Sequence, residues 1–155
     1  MRLKVLISAY ACSPYHGSEP GVGWGFVSAL ARYHDLWVIV EENEFRADLE
    51  RYLIEHQELK TQLRFEYIPR IRHSRIERLW PPSYYWTYRR WHQDAYQLAQ
   101  QLHQEVNFDL AHQLTMVGFR EPGYLWQLGI PFVWGPVGGM GLFPWRFLPT
   151  AYAPT

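Results

Sequence analysis

Three short segments carry residue types suited to binding an anion or a sugar. The first is Gly17-Ser18-Glu19-Pro20-Gly21-Val22-Gly23. Its glycines let backbone amides come close to a phosphate or a sugar hydroxyl, and a helix opening there adds the positive end of a dipole. The second is His112-Gln113 with Thr115, an imidazole followed by neutral hydrogen-bonding side chains. At the end of a buried strand, such an imidazole can act as acid, base or donor to a developing charge. A packed, hydrogen-bonded strand histidine is the competing reading. The third is Gly135-Pro136-Val137-Gly138-Gly139. Any one glycine-rich turn can simply reverse the chain, but two at one sheet edge favour a binding site.

Other chemistries are weaker. The run Gly21-Val22-Gly23-Trp24-Gly25 is an imperfect dinucleotide fingerprint, its last glycine one position early and its start well removed from the nearest strand. Glu41 imitates the acid that holds a ribose, so a nicotinamide-dependent (NAD) Rossmann enzyme stands as an alternative. No Gly-Lys-Ser/Thr exists for a P-loop. Histidine pairs at helical spacing and a D-x-D pair are also lacking, so no metal and no bound cofactor are expected.

Between residues 64 and 92 the arginines Arg64, Arg70, Arg72, Arg75, Arg78, Arg89 and Arg90 interleave with Trp80, Tyr84, Tyr85, Trp86, Tyr88 and Trp91. Cationic heads among amphipathic rings make a membrane-interface patch, here expected at Arg70, Arg72, Arg75, Arg78 and Trp80. The same composition could stack on single-stranded nucleic acid, or be a solvated face with aromatics packed beneath.

For the three segments to meet, the chain must place them on one edge. The hydropathy pattern predicts this. Apolar runs at Leu3–Ser8, Leu36–Val40, Leu63–Ile68, Phe108–Leu114 and Ile130–Trp134 read as buried strands. Between them, Val22, Phe26, Leu30 and Tyr33 mark one helix, with Ser18 as its N-cap and Pro20 in its first turn. Phe45, Leu49, Tyr52 and Leu53 mark a second, ending near His56. After Pro81-Pro82, the stripe Trp91, Ala95, Leu98, Ala99, Leu102 and Val106 marks a third. A short helix over Gly118–Leu128, stopped by Gly129, is also expected. Strands alternating with helices define an α/β domain with a parallel sheet, whose ligands bind beyond the carboxyl ends of the strands.

Composition narrows the class. The 155 residues suit about one domain, with 48% hydrophobic and 19% charged residues, a globular balance. The 15 basic residues offset the 15 acidic ones, which argues against nucleic acid as a partner. The single cysteine, Cys12, forbids an intrachain disulfide or thiolate cluster and fits a reducing, cytoplasmic setting. The N-terminal apolar run is shorter than the ~7–15 residues of a signal-peptide core, and nothing approaches the ~18 of a membrane span. Peripheral contact with the inner face of the plasma membrane is compatible with the Arg/Trp patch.

Taken together, the blocks Lys4-Val5-Leu6-Ile7-Ser8-Ala9-Tyr10-Ala11-Cys12-Ser13-Pro14, Gly17–Trp24, Phe108-Asp109-Leu110-Ala111-His112 and Trp134-Gly135-Pro136-Val137-Gly138-Gly139 resemble a group of family-4 glycosyltransferases. The resemblance runs through nearly the whole chain. It implies a single Rossmann-like domain with a parallel sheet flanked by helices, the N-terminal half of a GT-B fold, over 1–146, followed by a truncated interdomain connection over 147–155. It further implies transfer of a sugar from a nucleotide-sugar donor to a saccharide or lipid-linked acceptor, with retention and without a metal. Residue by residue, it sets Glu19, Gly21 and Gly23 beside the donor phosphates and sugar, Gly138 and Gly139 along the cleft floor, and Thr115 on the acceptor side. His112 matches the histidine that follows Asp109 by three, while Leu114 stands where many relatives carry a second one. The donor-binding domain is not among these residues, so the chain is expected to be inactive alone. A non-catalytic glycan- or lipid-binding module is a further alternative.

Overall fold

The computed structural model describes residues 1–71, 84–116, 118 and 121–138. Five strands, β1 (Lys4–Ser8), β2 (Asp35–Glu41), β3 (Leu63–Ile68), β4 (Leu110–Gln113) and β5 (Phe132–Trp134), form one sheet in the order β3-β2-β1-β4-β5. Every pairing is parallel. Among the described residues three helices flank it: α1 (Ser18–Ala31), α2 (Glu42–Glu55) and α3 (Tyr84–Val106). The chain moves one way through β1-α1-β2-α2-β3 and returns through α3, so right-handed crossovers put α3 on the face opposite α1 and α2. The order reverses between β1 and β4, the switch point where an open sheet leaves a crevice. This is an α/β, Rossmann-like domain.

The central strands are apolar on both faces because helices cover both. Val5, Leu6 and Ile7 of β1 and Val38, Ile39 and Val40 of β2 are buried. Trp91 anchors α3: it is 1% exposed, its Nε1 donates to the Ile68 carbonyl at 3.0 Å, and its ring meets Tyr10 edge-on. Burying a side chain of that size contributes upward of about 2 kcal/mol. Asn107, left-handed at φ 56°, ends α3 by sending its N–H to the His103 carbonyl at 2.9 Å.

Four sequence expectations need correction. Ser18 is not the N-cap of α1: its backbone is left-handed (φ 56°), and Gly17 takes the extended capping position with no side-chain cap. The buried stripe of α1 is Gly23, Val27 and Ala31, one residue on from the apolar positions that suggested the helix. Small residues let the helix lie close to the sheet, turning Val22 (43% exposed) and Phe26 (42%) outward. The helix expected over 118–128 contracts to a 3-10 turn, Leu125–Leu128. Pro122 supplies no N–H and Gly123 is left-handed (φ 64°), so no longer helix can close there. Finally, β3 and β5 are half-buried edges, with Arg64 exposed on one and Val133 44% exposed on the other, not buried strands.

Candidate functional site

The turns leaving β1, β4 and β5 are stitched to one another. Ala11 N–H donates to Thr115 Oγ1 at 3.0 Å, and Leu114 N–H to the Ser8 carbonyl at 2.9 Å. Met116 N–H donates to Glu19 Oε1 at 2.6 Å, a charge-assisted bond joining the first turn of α1 to the segment after β4. Gly118 then pairs with Gly138 in a parallel bridge. The result is an open cavity of about 590 Å³ bordered by Ser18, Glu19, Met116, Gly118, Pro136 and Gly138. That size suits a small-molecule site.

Within this frame the expected site residues divide. Glu19 and Gly138 border the cavity. Gly21 and Gly23 are required by packing: a Cβ on Gly21 would sit 2.6 Å from the His16 carbonyl oxygen, and one on Gly23 would sit 2.3 Å from that of Ala11. Gly23 is buried. Thr115 is fully buried, its hydroxyl on Ala11 and its methyl against Gly23, so it holds two turns together beneath the cavity. Gly139, the segment 147–155 and the patch residues Arg72, Arg75, Arg78 and Trp80 lie outside the described residues. Arg70 is half-buried, and its Nη1 donates to the Tyr10 hydroxyl at 2.9 Å.

His112 lies in β4, 6% exposed, with Nε2 2.8 Å from the Gly135 carbonyl oxygen. A carbonyl only accepts, so Nε2 carries the proton, and Nδ1 is the acceptor nitrogen of the neutral ring. Burial pushes its pKa below the usual histidine value, partly opposed by the bond to Gly135. His112 thereby holds the start of the β5 turn, and Phe26 of α1 lies edge-on to it.

No protein-family model, curated protein or solved structure matches the chain.

The acid expected for a nicotinamide ribose is otherwise engaged. Glu41 is fully buried and caps α2, its two oxygens accepting from Asn43 N–H at 3.1 Å and Glu44 N–H at 2.8 Å. Among the described residues no helix is long and apolar enough to cross a membrane.

Sequence reasoning missed the second wall. Tyr85 and Tyr88 of α3 and Glu121 after β4 also border the cavity. The tyrosine hydroxyl of Tyr88 donates to the Met116 carbonyl, tying α3 to the same segment as Glu19. The signal was present: Tyr85, Tyr88 and His92 recur at helical spacing and carry the stripe of Trp91, Ala95 and Ala99 back to the start of α3 along its edge. A row of polar side chains also escaped notice. Ser8, Gln113 and Trp134 are register neighbours across β1, β4 and β5. Ser8 Oγ, both amide atoms of Gln113 and Trp134 Nε1 are buried without a hydrogen-bond partner among the described residues.

Proposed function

We propose that this chain is the acceptor-side domain of a retaining, metal-independent glycosyltransferase of family 4, working with a donor-binding domain that faces its cavity. The observation that supports this best is the convergence of the β1, β4 and β5 turns on one open cavity at the switch point of the sheet. The motifs that carry the resemblance to these enzymes supply the residues of those turns. In this reading Glu19 and the Gly138 turn face the sugar being transferred, and the opposing domain supplies the charge that stabilises the departing diphosphate. His112 acts through Gly135, holding the turn in register, and is a positioning residue.

The test is a fusion of the chain to the donor-binding half of a family-4 enzyme. It is given labelled UDP-glucose, UDP-galactose or GDP-mannose together with mono- and disaccharide or lipid-linked acceptors. The expected result is sugar transfer by the fusion and none by the 155 residues alone. Turnover by the isolated chain, or no transfer from any donor by a folded fusion, overturns the proposal.

A further inference from the structure

Beside the cleft lies a second cavity, of about 460 Å³, between the start of α3 and the segment 121–126. It adjoins the first, since Tyr85, Tyr88 and Glu121 border both. Its walls are aromatic, with Trp86 (65% exposed) from α3 and Trp126 (53%) from the 3-10 turn. Trp126 is held by its own turn, its indole N–H donating to the Gly123 carbonyl at 3.1 Å. At the rim, Arg89 Nε donates to the Tyr124 hydroxyl at 2.9 Å. His92 lines the cavity, 4% exposed, and its Nε2 has no hydrogen-bond partner among the described residues. A buried polar atom left without a partner costs about 1–3 kcal/mol, so the site stands to gain from a ligand that supplies one. Behind Gly123, the side chain of Gln113 is equally unpartnered.

Such a lining selects its occupant by chemistry. Flat aromatic surfaces accept the C–H faces of a ring, and a neutral imidazole satisfies a hydroxyl better than a charged group. Burial lowers the His92 pKa to about 4, so the ring is uncharged near pH 7. Arg89 and Glu121 bring opposite charges to the lining, which disfavours a strongly ionic guest.

We propose that this cavity binds a neutral saccharide unit of the acceptor, with Trp86 and Trp126 against the ring faces and His92 hydrogen-bonding a hydroxyl. The inference deepens the glycosyltransferase reading and takes its acceptor from it. Continuity with the cleft lets one sugar residue be gripped here while the next reaches the reaction centre.

Binding is measured on the chain itself, without donor or partner domain, so its outcome is separate from that of sugar transfer. Tryptophan fluorescence is followed during titration with cellobiose, lactose, mannobiose and chitobiose, and with glucuronate and hexanol as charged and apolar probes. The expected result is saturable binding of at least one neutral disaccharide, weakened tenfold or more by both Trp126→Ala and His92→Phe. Tyr33→Ala, on the exposed surface, leaves binding unchanged. Trp126 is surface-exposed, so its variant remains informative even if His92→Phe fails to fold. No saturable binding of any saccharide, equal binding by Trp126→Ala, or binding of hexanol or glucuronate alone overturns the inference. Saccharide binding without transfer by the fusion retains this site and removes the enzymatic reading; transfer without such binding does the reverse.

Discussion

At the scale of the residue, His92 and Glu41 make opposite use of burial. His92 sits between Tyr88 and Trp91, edge-on to both rings, and no carboxylate is bonded to it among the described residues. Its folded pKa of about 4 lies below the ordinary 6.5, so the unfolded chain binds the extra proton between those values. Stability is therefore fully present above about pH 6.5, falls as pH drops toward 4, and loses nothing further below it. The span corresponds to about 3 kcal/mol. His112 is shifted the same way by burial, so the comparison must isolate one ring. Urea unfolding from pH 7.5 to 4 is expected to show a shallower decline in His92→Phe than in the parent; an identical slope would refute the assignment. Glu41 is buried because two backbone amides of α2 satisfy its carboxylate. Glu41→Ala is expected to lower stability by about 1–2 kcal/mol in denaturant melts, and NAD is expected to produce no thermal shift in the parent.

At the scale of the element, α1 illustrates what residue patterns can and cannot convey. Its existence and position follow from Pro20 and the apolar spacing, but its cap and its orientation do not. Hydrophobicity points to Val22 and Phe26, whereas packing is decided by size: only glycine at 23 lets the helix pass the Ala11 carbonyl and the Thr115 methyl. Two substitutions separate these demands. Gly23→Ala is expected to destabilise by about 1–3 kcal/mol through a backbone clash. Gly25→Ala, in the same helix with nothing within 4 Å of the added carbon, is expected to stabilise by about 0.5–1 kcal/mol. Equal effects in thermal melts would contradict this packing. The boundaries of β3 were legible to the residue because a β-branched and aromatic run ends at Pro69. The segment after β4 was not, because Pro122, Gly123 and a long-range contact with Gln113 decide its shape. Likewise the cavity edge was readable from glycines and strand ends, while its α3 wall depends on how a helix turns about its axis.

At the scale of the whole molecule, the sheet order places the β1 and β4 turns side by side, and the stitches between them make one wall. Thr115→Val removes the hydroxyl that receives Ala11 N–H while keeping the volume. It is expected to cost about 1–3 kcal/mol by leaving that buried donor unpaired. In the fusion enzyme it is expected to reduce transfer by loosening the junction beneath the cavity. Unchanged stability and transfer would show that the junction is dispensable.

The bond from Glu19 to Met116 and the bridge between Gly118 and Gly138 tie three segments of the chain together at the rim. An occupant therefore meets a mouth already in shape and loses little affinity to ordering it. If a donor-binding domain faces this mouth as proposed, sealing it would fall to the approach of one domain to the other, with the contacts between the lips kept.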